Sequence, residues 1–178
     1  MNNINFDVLT LKDKDKLGLL VARINAGDMF LHTGVNNPER FFKNDLLGAF
    51  TDDNELVGFS GLSTDPEKLR RFMDRLKLTE EEYRARFKEP CGEHYFMVRP
   101  DFVEKGLGTE LCNQISTYAK EEHDLWRLFS IAHPDNKTEV VPLLASGHTT
   151  KPEDLFMTIC KEPKPRLLFQ KDLAEPGV

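Results

Sequence analysis

The sequence predicts an α/β (α+β) protein, a mixed central sheet flanked by helices with a helical insert at about residues 65–89. Three observations carry this. Short β-prone apolar runs alternate with segments of helical periodicity along the whole chain. Two of the runs flank "DDNE", a turn composition, and form a hairpin. The charged stretch between the third and fourth runs, "DPEKLRRFMDRLKLTEEEYRARFKEP", carries helical stripes and no strand pattern. The expected order is β-α-α-β-β-(αα)-β-α-β-α-β-β in one domain over residues 1–178.

Each element has its own reason. "INFDVLTL" alternates as a first strand. Leu17, Leu20, Val21 and Ile24 then fall at i, i+3, i+4 and i+7, an amphipathic helix stopped near Gly27. "DMFLHTGVNN" is a loop, and "PERFFKNDL" a short helix with Pro38 in its first turn. The hairpin "LLGAFTDDNELVGFSGLST" follows. In the insert, Leu69, Phe72, Met73 and Leu76 form one stripe, and Thr79 with Glu82 forms a capping box that starts a second helix. "GEHYFMVRP" is a strand ended by Pro100. "GTELCNQISTYAKEE" is a helix with Leu107, Leu111, Ile115 and Tyr118 on its apolar side. "LWRLFSIAH" reads as a buried strand with Trp126 in the core. "PDNKTEVVPLLASG" is a helix closed by Gly147, with Pro142 inside it. "DLFMTIC" and "RLLFQKDL" are the closing strands.

Composition narrows the function classes. The 178 residues are 39% hydrophobic and 30% charged, with a net charge of −6. That surface is a poor default partner for nucleic acid or anionic lipid and mildly favours a cationic substrate, though only the local field at a site decides that. Cys91, Cys112 and Cys160 have neither disulfide-framework nor metal-site spacing, and no two histidines have helical ligand spacing with a carboxylate, so no metal is expected. Reduced thiols, a start without a basic-then-apolar leader, and no apolar run of membrane-spanning length lead to a cytoplasmic expectation.

The segment "VRPDFVEKGLGTELC" is the chemical focus. A strand ends at Pro100, Gly106 and Gly108 follow, and a helix begins. Glycines permit a sharp turn, and a helix N-terminus offers unpaired N–H groups and positive dipole charge, which together suit a pyrophosphate. Lys105 can add a cation. Alone, this pattern reads equally as a turn with no ligand. It is neither a Walker loop nor the GxGxxG fingerprint, since Leu111 stands three residues after Gly108.

The wider arrangement is more specific. Val98-Arg99-Pro100 at the strand end, Val103-Glu104-Lys105-Gly106-Leu107-Gly108, then "HPDN" with Asn136, and Gly147-His148 after the next helix resemble the GNAT superfamily of N-acyltransferases. The likeness spans roughly residues 4–173 outside the insert. It implies a mostly antiparallel sheet and acetyl-CoA as co-substrate. It also implies direct attack by an amine in a gap between the "GEHYFMV" and "LWRLFSI" strands. In such a protein, main-chain groups near Met97 and Val98 would hold the pantetheine arm. The segment Val103, Glu104, Lys105, Gly106, Leu107, Gly108 and Thr109 would hold the pyrophosphate, with Asn136 contributing from the next helix. The chain departs from the family at two places. Val103 stands where arginine or glutamine is usual, and Leu143 stands where many members carry the tyrosine that protonates the leaving thiolate; the nearest tyrosine in sequence is Tyr118.

An amine nucleophile is helped by a base near neutral pH. His94 is the first candidate, on the gap-lining strand at a register where one member carries a histidine. Strict alternation puts it on a face with Gly92, Phe96 and Val98. Glu93 is the second candidate, beside the register of the glutamate found in histone-type members, though alternation turns it to the other face. Phe30 and His32, in the loop where members grip substrate, are the substrate candidates. His148, in place of the usual phenylalanine, reads as structural. The insert is either a solvated helix pair or a lid or homodimer contact beside the acceptor site. Two functions stay open: an acetyltransferase acting on a small-molecule or peptide amine, and a catalytically weak CoA-binding or interaction module.

Overall fold

Alternating burial shapes the sheet and capping chemistry delimits the helices. The computed structural model describes residues 3–27, 38–87, 90–159 and 161–173. The strands are β1 (Ile4–Val8), β2 (Asp45–Thr51), β3 (Leu56–Ser63), β4 (Cys91–Val98), β5 (Arg127–Ala132), β6 (Leu155–Met157) and β7 (Pro165–Asp172). The helices are α1 (Lys14–Gly27), α2 (Pro66–Arg75), α3 (Glu80–Arg86), α4 (Leu107–His123) and α5 (Lys137–Ala145). All seven strands form one sheet in the order β1-β2-β3-β4-β5-β7-β6. Every adjacent pair is antiparallel except β4 and β5.

The insert forms as its sequence dictates. Asp65 caps α2 by accepting from Glu67 N, and Thr79 and Glu82 make the reciprocal capping box of α3. Leu69 and Phe72 are buried against Phe87, Cys91, Phe129, Phe156 and Leu168, so α2 and α3 cover the β4-to-β6 half of one face. On the same face α1 covers the other half through Leu17, Leu20, Val21 and Ile24, packed on Leu46 and Phe59. Helices α4 and α5 cover the opposite face, where Leu107, Leu111 and Leu143 meet Phe96, Val98 and Phe169.

Three expectations change. Pro38–Lys43 is a 3₁₀ helix. Trp126 is 49% exposed, because β5 begins only at Arg127 and the tryptophan lies before the first rung of the ladder. The strand expected from "DLFMTIC" is confined to Leu155–Met157. Among the described residues no helix is long and apolar enough to cross a membrane.

Candidate active site

The feature that organises the site is a failure of pairing. Strands β4 and β5 form rungs at Cys91–Arg127, Gly92–Leu128 and Glu93–Phe129, and none beyond. Each strand keeps its other neighbour: β4 pairs with β3 as far as Val98, and β5 pairs with β7 along all of Arg127–Ala132. The two halves of the sheet therefore diverge from His94 and Ser130 onward. The free edges between them carry backbone polar groups that no strand satisfies.

Arg99 N donates to Val57 O, and bonding direction alternates along a strand, so Met97 and Tyr95 also turn their main chains toward β3. The groups facing the gap are those of His94, Phe96 and Val98. Of the two residues expected to line it through their backbone, Val98 does, and the main chain of Met97 is instead committed to β3.

His94 and Ser130 are the first residues past the last rung, both on the α4–α5 face. His94 is 1% exposed. Its Nε2 lies 2.8 Å from Nε2 of His148, which is also buried, and His148 Nδ1 lies 3.0 Å from Ser146 Oγ. Ser146 donates its hydroxyl hydrogen to Leu143 O at 2.9 Å, so His148 Nδ1–H gives to the serine. That tautomer leaves His148 Nε2 bare, so His94 donates Nε2–H and keeps a lone pair on Nδ1. Among the described residues nothing pairs with His94 Nδ1 or with the buried Ser130 Oγ.

Burial holds His94 neutral, pushing it well below the ordinary imidazole value, with His148 and Lys171 adding to the effect. Burial and Lys171 bring His148 to about 4. Nearby, burial raises the Cys112 thiol to about 12, which makes it an inert packing group.

Glu93 points the other way, as alternation requires, and pairs with Arg71 of α2. Burial raises its pKa, and Arg71, Lys68 and Arg75 oppose that rise. The structure thus brings His94 together with His148 and separates it from Glu93. Phe30 and His32 lie outside the described residues.

The turn after β4 is a 3₁₀ helix, Pro100–Lys105, running into α4 through Gly106. Gly106 has φ +78°, a conformation L side chains rarely adopt, and no atom lies within 4 Å of where a Cβ would stand. The first intrahelical bond of α4 is Glu110 N to Gly106 O, and no side chain caps its start. The amides of Leu107, Gly108 and Thr109 are therefore the helix's open donors. Val103, Glu104 and Lys105 belong to the 3₁₀ turn, whose N–H groups bond three residues back.

Val103 packs against the core and braces the turn. Gly108 is glycine for a different reason: a Cβ there would sit 2.9 Å from Pro142 Cγ and 3.0 Å from Phe96 Cε2, so its bareness lets α5 and β4 approach α4. A cavity of ≈ 660 Å³ opens beside Lys105, Gly106 and Leu107, walled by Phe6 and Phe102.

Asn136 is buried and opens α5. Its amide donates to Glu139 Oε2 at 3.1 Å and its oxygen accepts from Thr138 Oγ1 at 2.7 Å. Glu139 keeps a partly exposed edge, yet protein atoms crowd its carboxylate and burial raises it to about 7. Leu143, one turn on, is fully buried in the core.

Sequence reasoning reached His94 but not its partner, 54 residues away, nor Ser130. The available signal for Ser130 was a lone hydroxyl inside the apolar run "LFSIA".

A mixed sheet opened between two parallel strands, with an uncapped helix start at its mouth, matches the arrangement that the sequence resemblance implied. The chain belongs to the acetyltransferase (GNAT) family, whose model matches residues 25–140. No curated protein sequence matches it. Solved structures share the fold. A GNAT-family acetyltransferase from Streptococcus pneumoniae has a TM-score of 0.70 at 14% identity, covering 97% of this chain and 100% of that one. Ribosomal-protein-S5-alanine acetyltransferase from Vibrio fischeri has a TM-score of 0.69 at 12% identity, covering 97% and 94%. A phosphinothricin acetyltransferase from Sinorhizobium meliloti, solved in complex with AcCoA, has a TM-score of 0.66 at 13% identity, covering 97% and 89%.

Proposed function

We propose that the protein transfers an acetyl group from acetyl-CoA to a primary amine by direct attack in a ternary complex. The observation that carries this is the opened β4–β5 seam, with the unpartnered His94 Nδ1 at its apex and the open amides of α4 at its mouth. The chain's residues fit the cofactor. The amides of Leu107, Gly108 and Thr109, with Lys105 beside them, would hold the pyrophosphate. The free main chain of Phe96 and Val98 would pair with the pantetheine arm as an added strand. Val103 and Glu104 would support the cradle as parts of the turn, and the buried Asn136 would order the start of α5. Bound acetyl-CoA supplies an activated acyl thioester.

As the amine forms its C–N bond and the thioester C–S bond breaks, His94 Nδ1 would accept the proton the amine sheds, and coenzyme A would leave as the thiolate, to be protonated from solvent. The lowered pKa of His94 keeps it unprotonated at neutral pH but also makes it a weak base. The amine must therefore enter already neutral, and His94 acts only once attack has made the nitrogen acidic. Ser130 Oγ, buried and without a partner past the last rung, would steady the reacting groups. Glu93, on the far face and tied to Arg71, is left a positioning role.

A second reading, a CoA-binding module without turnover, is favoured by one observation. Leu143 fills with packed core the place where the family's acid stands. Thermal shift with acetyl-CoA and thiol release over a panel of amines separate the two. A shift with turnover is expected; a shift without turnover on any amine selects the module. Absence of any shift at millimolar acetyl-CoA overturns both. His94→Gln is expected to lower kcat/KM at least ten-fold and, well below pH 6.5, to reduce the slope of its acid limb from two protons, those of amine and imidazole, to the one of the amine. An unchanged profile removes His94 from the mechanism.

A further inference from the structure

The α2 side of the seam, the face opposite the His94 side chain, carries an unbalanced row of cations. On α2, Lys68, Arg71 and Arg75 stand at i, i+3 and i+7, half-buried on one side of the helix. The helix crosses the seam: Arg71 meets Glu93 of β4, while Phe72 packs edge-on against Phe156 of β6. Lys68 donates to Asn44 Oδ1 at 2.7 Å, and Asn44 donates to the hydroxyl of Tyr95, past the last rung of β4, at 3.1 Å. Arg75 lies over the ring of Phe156.

The other arginines of the insert are paired with acids. Arg70 and Arg84 share Glu80, and Arg86 holds Asp154. In the row, three cations face the single carboxylate of Glu93. Among the described residues Lys68 and Arg75 feel only the field of Glu93 and make no salt bridge, and the buried Arg71 Nε has no hydrogen-bond partner. The excess is local, since the chain as a whole carries −6. Like charges held half-buried repel one another, and burial together with Arg71 depresses the Arg75 pKa. An anion placed here would relieve that repulsion, and a guanidinium fork matches a carboxylate in two parallel bonds.

We infer that the acceptor is an amine that also carries an anionic group, a carboxylate of the amino-acid kind, that it enters from the α2 side, and that the Lys68–Arg71–Arg75 row holds the carboxylate while the amine reaches between the opened β4 and β5 strands toward His94. This rests on the acetyl-transfer reading and narrows its substrate.

The test uses matched pairs: L-methionine against 3-(methylthio)propylamine, and L-phenylalanine against phenethylamine. Thiol release is followed in the wild type and in Arg75→Glu. The amino acids are expected to exceed their decarboxylated partners at least ten-fold in kcat/KM, and Arg75→Glu to abolish that ratio. Equal rates in the wild type, or a ratio untouched by Arg75→Glu, overturn the inference. Arg75→Gln, which removes the charge and keeps much of the length, replaces Arg75→Glu if that variant does not fold.

If no amine turns over, the transfer reading fails, and binding still decides the row. N-acetyl-L-methionine should stabilise the wild type against heat but not Arg75→Gln, whereas its decarboxylated amide should stabilise neither. No shift with the carboxylate overturns the row as an anion site.

Discussion

The buried titrating groups make opposed contributions to stability, and one replacement should separate them. His148 is held at about 4 against an ordinary 6.5. Between those values the unfolded imidazole binds a proton that the folded one refuses, so stability rises with pH. At about 1.4 kcal/mol per pKa unit, roughly 2.5 units amount to about 3 kcal/mol, fully present above pH 6.5 and lost as pH falls toward 4. His94 adds to this with the same sign. Glu139 runs the other way. Raised from 4.5 to about 7, it keeps its proton in the folded state after the unfolded chain has released it, so stability falls as pH rises through that window. The shift corresponds to an upper limit of about 3 kcal/mol, reduced by the partly exposed edge of Glu139.

Glu139→Gln removes only the second contribution. Urea denaturation at half-unit steps from pH 4 to 8 reads the difference between variant and wild type, in which the surface carboxylates cancel. Near pH 4.5 the difference should be small. By pH 8 the variant should be the more stable by about 1–3 kcal/mol. A flat difference across the whole range would refute the assignment of a proton to buried Glu139.

Two further replacements probe the turn. Gly108→Ala drives a Cβ into Pro142 and Phe96, and overpacking of this kind costs about 1–3 kcal/mol. In a chain of this size each kcal/mol lowers Tm by roughly 2–4 °C, and the added Pro142→Ala should recover part of the loss; no recovery would show that the contact is not the cause. Gly106→Ala meets no atom but must hold φ +78°, so about 1–2 kcal/mol of backbone strain is expected from calorimetry, with weaker acetyl-CoA binding by titration. Unchanged affinity there would detach this turn from the cofactor.

Much of the fold was legible because its signals are local. The capping box at Thr79 and Glu82, the stripe of α1 and the stop at Gly147 each lie within a few residues, and the element order follows from them. Alternation also placed His94 and Glu93 on opposite faces correctly, because β3 and β4 pair in unbroken register through them. What the sequence could not show was which neighbours those faces meet. His148 reads as a substituted phenylalanine until the end of α5 brings it to His94. The cations of α2 read as a solvated face until Glu93 and Asn44 are set opposite them. Trp126 misled for the opposite reason: it shares an apolar run with β5, yet the ladder begins one residue later. Gly108 carried the right residue for a reason invisible in sequence, the approach of Pro142.

The three rungs between β4 and β5 have a mechanical consequence. Two half-sheets, each fully laced on its own side, meet at a seam of only three rungs, so the ladder itself does little to fix the angle between them. Phe72 of α2 and Phe87 beyond α3 bear on Phe129 and Phe156 in one half, while Arg71 is anchored on Glu93 in the other. The insert thus serves as a strut across a hinge. Shortening it should loosen the angle of the cleft itself, so that a change far from any bound ligand would be felt as a change in how wide the two halves stand apart.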